Sequence, residues 1–169
     1  MPAPAAIALP DLEGHFAVDA AASSVRFSVA HFRIQTVRGS LTGLSGDVRI
    51  AGGHLTADGT VDAASIRTGT GSRDAHLRSY LLRTDAHPHL RLYVDTPLAP
   101  RILATVTVRE RPVPVEVTLE VRQAGRLHAT FLLDRHAAGL TWPAPVEAGG
   151  VAVGREVRVD LDLALVPQG

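Results

Sequence analysis

Hydrophobic and polar residues alternate along most of the chain, which is the pattern of half-buried β-strands. The C-terminal segment is the clearest example, because apolar residues occupy every second position there. They are Val157, Val159, Leu161, Leu163 and Leu165. Equivalent alternation occurs near residues 25–29, 55–63, 90–94, 102–108, 113–121 and 127–133. The pattern predicts an antiparallel, all-β protein.

Glycine and proline clusters separate these alternating segments, as expected for turns. One such cluster, Gly43 to Gly46, predicts a turn between two strands, and Gly52-Gly53 predicts another. Pro112 and Pro114 lie two residues apart and cannot donate hydrogen bonds to a neighbouring strand. We therefore expect this pair at the start of a strand or at the edge of a sheet.

One segment has helical spacing instead. Between Arg73 and Leu82 the apolar residues Leu77, Tyr80 and Leu81 share one helical face, and Ser72 is a candidate N-cap. About eight strands and one short helix in a single domain predict a closed β-barrel, because closure removes exposed sheet edges. The alanine-rich residues 1–14 are predicted to be a flexible tail, and residues 15–169 the barrel domain.

The barrel interior has two interpretations at this stage. A barrel of about eight strands is wide enough either to be filled by side chains or to hold one small ligand. Aromatic residues make up 4% of the chain, and the inward rows consist mostly of valine, leucine, alanine and glycine, with Ala63 and Ala129 among them. Small inward residues favour a cavity, but an ordinary aliphatic core stays an alternative.

Composition excludes several classes of function. Arginine and lysine together number 17, as do aspartate and glutamate, and this balance argues against a nucleic-acid-binding protein. The chain contains no cysteine, which excludes disulfides and thiolate metal sites. His87 and His89 share a strand face, but this pair alone is a weak metal signal, and we predict neither metal nor cofactor.

The chain shows neither of two membrane-related signals. It has no basic segment followed by an apolar run of the secretory type, so the sequence predicts a cytoplasmic protein. No apolar stretch approaches the roughly 20 residues of a membrane span, so stable membrane insertion is not expected. A homodimer stays open, since two-fold pairing is common.

Specific motifs add a resemblance to this pattern. The most specific is Thr68-Gly69 followed by Arg73-Asp74-x-His76-Leu77. The others are Phe16–Asp19, Ser24–His31, Thr36–Gly39, Ala64–Ile66, His87-Pro88, Val108–Val117, Asp134-Arg135 and Gly139-Leu140. Together they make the chain similar to the YceI-like family of bacterial proteins from about Phe16 to Leu165. The resemblance implies a lipocalin-like extended barrel that binds long amphiphilic lipids such as polyisoprenoids and isoprenoid quinones.

The resemblance also implies a ligand site with a polar end and an apolar tunnel. Its polar candidates are His31, Arg38, Arg73, Asp74 and His76. Its apolar candidates are Phe27, Val29, Val37, Leu41, Leu77, Leu81 and Phe131. A structural alternative is that Arg73 and Asp74 anchor the short helix while His76 hydrogen-bonds a backbone carbonyl.

These observations predict a non-catalytic carrier that holds an isoprenoid, an isoprenoid quinone or a fatty-acid derivative in an apolar tunnel. The runner-up is a barrel filled by its own side chains that acts as a structural or protein-interaction module. An enzyme acting on an amphiphile is a third hypothesis, and it would require His31 and His76 for turnover.

Overall fold

The computed structural model describes residues 9–31, 35–122, 125–143 and 153–169, and these residues form nine strands. The strands are β1 Gly14–Val18, β2 Ser24–His31, β3 Gln35–Ala51, β4 His54–Arg67, β5 His89–Pro97, β6 Arg101–Val108, β7 Arg111–Arg122, β8 Arg126–Asp134 and β9 Val153–Pro167. From β2 to β9, each strand pairs antiparallel with the strand that follows it in the sequence. Pairing of β2 with β9 closes an eight-stranded barrel, which confirms the predicted fold class.

Strand β1 continues the line of β2. It pairs with Asp47–Ile50 of β3 and with Leu165–Pro167 of β9, which are the parts of those strands that β2 does not reach. A single 3-10 turn, Ala20–Ala22, separates β1 from β2. The ninth strand therefore extends the barrel wall without widening the barrel.

The turn predicted at Gly43 to Gly46 was wrong. Both glycines lie inside β3, and the pairing of β3 with β4 changes register between Ser40 and Ser45. Gly43 has a φ of +74°, a conformation that side chains of L-residues disfavour. A glycine of this kind lets a long strand bulge and bend without ending.

The predicted helical segment is present between β4 and β5. It consists of an α-helix, α1, over Gly71–His76 and one π-helical turn over Leu77–Leu81. Ser72 was wrongly predicted as the N-cap, because α1 begins one residue earlier and the carbonyl of Thr70 accepts from the Asp74 amide at 3.0 Å. Within the described residues, no helix is both long and apolar enough to cross a membrane.

The helical segment lies at the end of the barrel where β4 ends and β5 starts; we call this the helical end. The opposite end carries the β3–β4 hairpin at Gly52-Gly53. Toward the hairpin, a set of inward residues packs tightly, and we call it the packed base. It comprises Ile50, Leu55, Val94, Ile102, Val117 and Leu119, which are all buried in one hydrophobic cluster.

The two prolines occupy the start of β7. Pro112 pairs with Thr107 and Pro114 with Thr105 of β6, whereas the pairing of β7 with β8 begins only at Val117. The missing amide donors therefore fall where β7 has one strand neighbour, which confirms the predicted position at a strand start.

Candidate functional site

Between the helical end and the packed base, the barrel is hollow. An outer compartment of about 240 Å³ lies beneath the helical segment, and an inner compartment of about 170 Å³ lies deeper. The two share a set of lining residues and are therefore adjacent; together we call them the cavity. The shared residues are Val25, Leu41, Leu82, Leu90, Leu133, Leu140 and Val159.

All seven apolar candidates from the sequence line this cavity. Phe27, Val29, Val37, Leu77 and Leu81 line the outer compartment, Phe131 lines the inner one, and Leu41 lines both. Gly39 on β3 pairs directly with Phe27, and a Cβ atom there would lie only 2.2 Å from the Phe27 ring. The glycine thus allows the ring to lie across the wall of the outer compartment.

The inner compartment is open because small residues line part of its wall, and the sequence analysis did not identify these residues. Gly46 on β3 and Gly59 on β4 pair directly with each other, and Ala57 lies two residues before Gly59 on the same inward row. Ala63 and Ala129, by contrast, are buried and line neither compartment. Alternation alone identifies inward residues, but it does not show which of them face a void.

Three of the five polar candidates, His31, Arg73 and His76, line the outer compartment. Arg38 does not, because its side chain is exposed on the face of β3 opposite to that of Val37. Asp74 is buried but also lines neither compartment. The expectation that all five side chains meet at the polar end of the tunnel is therefore corrected for Arg38 and Asp74.

Asp74 and Arg73 hold the helical segment to the end of β4 through Thr68. An Asp74 carboxylate oxygen accepts from the Thr68 amide at 2.9 Å and from its hydroxyl at 2.5 Å. Arg73 donates from Nε to the Thr68 hydroxyl at 2.7 Å and from Nη2 to the Thr68 carbonyl at 2.9 Å. Both residues therefore anchor the short helix, as the structural alternative predicted. Arg73 also lines the outer compartment, and its Nη1 has no hydrogen-bond partner among the described residues.

An aromatic stack forms the rim of the outer compartment. The ring of His76 stacks on Tyr80 with 5.1 Å between centroids, and it lies nearly parallel to Trp142 at 6.2 Å. Trp142 donates from Nε1 to Nε2 of His76 at 2.9 Å, so the partner of His76 is an indole and not the expected backbone carbonyl. Because His76 is exposed and also lines the cavity, the cavity reaches the surface here.

Arg135 supports this rim from inside and was not among the predicted site residues. Its guanidinium carbon lies 5.2 Å from the centre of the Trp142 ring, and its side chain is one of the two buried charged groups among the described residues. It donates to the carbonyl of Leu140 at 2.8 Å and to that of Gly154 at 3.2 Å. Sequence signals existed for both residues: Arg135 stands in a family-like motif, and Trp142 is the single tryptophan of the chain.

Charged pairs lie on the exposed faces of the strands, and one of them, Arg91–Asp58, also borders the inner compartment. A hydrogen bond from Arg91 lowers the pKa of Asp58, and one from Arg155 lowers the pKa of Asp134. At Asp160 burial opposes ionisation, but hydrogen bonds from Arg158 and Thr130 still lower its pKa. These pairs stabilise the wall, and the surface that lines the cavity is almost entirely apolar.

Comparison with known proteins agrees with this architecture. The family model of the YceI-like domain matches residues 16–165. A UPF0312 protein of Staphylococcus aureus strain USA300 is 25% identical over 162 residues, which cover 86% of this chain and 94% of the relative.

Two solved structures show the same fold at low sequence identity. A polyisoprenoid binding domain from Saccharophagus degradans, implicated in plant cell wall breakdown, has a TM-score of 0.69 and 20% identity, with 90% of this chain and 98% of that one covered. Burkholderia cenocepacia BcnA has a TM-score of 0.71 and 17% identity, with 88% and 99% covered. Since the family match extends over nearly the whole barrel, the chain belongs to the YceI-like domain family.

Proposed function

We propose that the protein is a non-catalytic carrier that holds one long-chain amphiphile in the barrel cavity. The observation that carries the proposal is a pair of adjacent apolar compartments, of which the outer one reaches the surface at a polar, aromatic rim. The similarity to a Saccharophagus degradans domain described as polyisoprenoid binding supports the proposal. The candidate ligands are an isoprenoid, an isoprenoid quinone and a fatty-acid derivative, which all join an apolar chain to a polar head.

The lining determines the orientation of such a ligand. Aliphatic side chains, Gly46 and Gly59 form most of the lining of the inner compartment, and the lining surface is almost entirely apolar, so the tail belongs there. Each buried methylene group contributes about 0.8 kcal/mol, which makes a long chain the main source of affinity. The head belongs at the rim, where Nη1 of Arg73 can donate to a carbonyl, carboxylate or phosphate oxygen.

The polar groups at the rim support binding better than catalysis. Arg73 is held by Thr68, and His76 accepts the hydrogen bond of Trp142, so each already has a structural partner. Groups held in this way are suited to select a head group by position and charge. The cytoplasmic location and the homodimer stay predictions.

The test is native mass spectrometry of the freshly purified protein, followed by organic extraction and identification of the extract. We expect a stoichiometric added mass that extracts as an isoprenoid or acyl compound. A matched sample of the Gly59→Val variant, in which the inner compartment is partly filled, should carry less of the longest chains. A bare 17.9 kDa species that takes up no added isoprenoid, quinone or fatty acid would contradict the proposal and favour a filled interaction module.

A further inference from the structure

Arginines without an acidic partner concentrate at the helical end. Among the described residues, the arginines of this end that form no ion pair are Arg38, Arg67, Arg73, Arg78, Arg83, Arg109 and Arg111. On the wall and toward the hairpin, most arginines are paired instead, as in the pairs Arg91–Asp58 and Arg126–Asp162. The formally neutral chain therefore carries an uneven distribution of charge along the barrel axis.

Three of these residues, Arg83, Arg109 and Arg111, lie near the β6–β7 turn and the last turn of the helical segment, and we call them the arginine cluster. Arg109 donates from Nη1 to the carbonyl of Leu81 at 3.1 Å, which fixes the cluster against the last turn of the helical segment. Burial, and then repulsion from Arg83 and Arg111, lower the pKa of Arg109. Neighbouring guanidinium groups repel one another, and an anion placed against them relieves that repulsion.

The neighbouring carboxylates offset the cluster only in part. Glu110 lies between Arg109 and Arg111 in sequence, and Asp85 lies two residues after Arg83. Both side chains are exposed, and neither forms an ion pair within the part of the chain that the structure describes. Three arginines against two carboxylates leave this part of the surface with a net positive charge.

Aromatic side chains lie on the same end of the barrel. Tyr80 directly precedes Leu81, whose carbonyl binds Arg109, and its side chain is 39% exposed. Trp142 is half-buried in the stack with His76 beside it. Tyrosine and tryptophan rings are the side chains most suited to the boundary between lipid head groups and water.

We propose that the helical end docks on an anionic lipid bilayer through the arginine cluster and Tyr80, so that the cavity mouth faces the membrane surface. The arginines match the charge of acidic head groups, at about 1 kcal/mol for each residue at the surface. The role of docking, exchange of an amphiphile between cavity and bilayer, rests on the proposed carrier function. The docking itself depends only on the outer surface and does not require a bound ligand.

The experiment measures binding to vesicles of phosphatidylcholine alone and of equal parts phosphatidylcholine and phosphatidylglycerol. We expect binding to the anionic vesicles only, with a loss of affinity as salt increases. The double variant Arg83→Asn, Arg111→Gln should bind about 30-fold more weakly. Asparagine is chosen because Arg83 has a φ of 48° and asparagine tolerates this conformation.

A matched double variant, Arg49→Gln with Arg101→Gln, controls for net charge. Both residues are exposed and lie toward the hairpin, at the end of the barrel opposite to the helical end, so anionic vesicles should bind this variant as well as the parent protein. Quenching of Trp142 fluorescence by brominated lipids reports the orientation, because this tryptophan is the only one in the chain.

The proposal is wrong if neutral and anionic vesicles bind equally or if the control variant weakens binding as much as the cluster variant. It is also wrong if inorganic phosphate binds the arginine cluster while anionic vesicles do not, since the cluster would then be a site for small anions. The vesicle assay can be done on protein with or without a bound amphiphile. Failure to find an amphiphile by mass spectrometry would therefore contradict the carrier function, whereas failure to bind vesicles would contradict the docking proposal.

Discussion

The packed base and the cavity show how one barrel divides its interior between stability and binding. In the packed base, Ile50 is 2% exposed and Val117 is 1% exposed, and neither lines the cavity. Above it, equally apolar residues such as Phe27 and Leu41 surround empty volume. Apolar side chains therefore stabilise the fold where the opposite wall lies within contact distance, and they line a binding cavity where it does not.

The first prediction compares two isoleucines of the core. Ile50→Ala in the packed base should cost about 3–4 kcal/mol in unfolding free energy, because it removes contacts on all sides. Ile66→Ala should cost about half as much, since Ile66 lines the cavity and has fewer contacts to lose. Urea unfolding of both variants measures the difference, and equal costs would show that the cavity region is packed as tightly as the base.

The second prediction fills the inner compartment. Gly59→Val adds three carbon atoms at a position where a Cβ atom meets only ordinary contacts. The affinity for a 20-carbon chain should fall by roughly 2 kcal/mol, or about 30-fold, because methylene groups are displaced. A chain of half that length should bind unchanged in a titration with fluorescent fatty acids.

Gly71→Val is the control for the second prediction. Gly71 starts α1, is exposed and has no atom within 4 Å of the added Cβ. This variant should bind both chain lengths like the parent protein. If Gly59→Val also left long-chain binding intact, the tail would not reach the inner compartment.

The third prediction concerns the polar rim. Arg73→Gln should weaken binding of a fatty acid by about 1.5 kcal/mol, roughly tenfold, because a charge-assisted hydrogen bond to the head is lost. A neutral isoprenoid alcohol should bind almost unchanged. Arg78→Gln, a change on the same helical segment at a residue that does not line the cavity, is the control. Equal losses for the two ligands would indicate that Arg73 acts only by holding α1 to Thr68.

The fourth prediction, with the smallest effect, concerns acid stability of the wall. The pKa values of Asp58, Asp134 and Asp160 are lowered in the folded protein, so their contribution to stability is present above the unfolded pKa of about 3.8. This contribution is lost as the pH falls through the lower folded values. The urea midpoint should thus be constant near neutral pH and decrease in strong acid, and Asp160→Asn should show a shallower decrease. An unchanged pH profile in that variant would exclude Asp160 as a contributor.

Some elements were predicted correctly from the sequence, and particular residues were not. The alternation in β9 was sufficient, because the strand buries one face, and the i, i+4 spacing of Leu77 and Leu81 located the helical segment, although Tyr80 between them is 39% exposed. Gly43 misled the interpretation, since a glycine inside a bulged strand has the same sequence appearance as a glycine in a turn. Arg38 was misplaced because the family-like motif was given more weight than alternation, which puts Arg38 on the strand face opposite to its neighbour Val37.

The sequence by itself determined the β-strands, the helical segment and the aliphatic character of the interior, because these follow from local periodicity and composition. Only the tertiary structure decided that β2 pairs with β9, that Gly46 meets Gly59, and that Trp142 reaches His76, 66 positions away. It also decided that the arginine cluster forms at the helical end. The physical reason is that periodicity tells inward from outward positions, whereas cavities, stacks and charge clusters depend on distances between segments that only closure of the barrel sets.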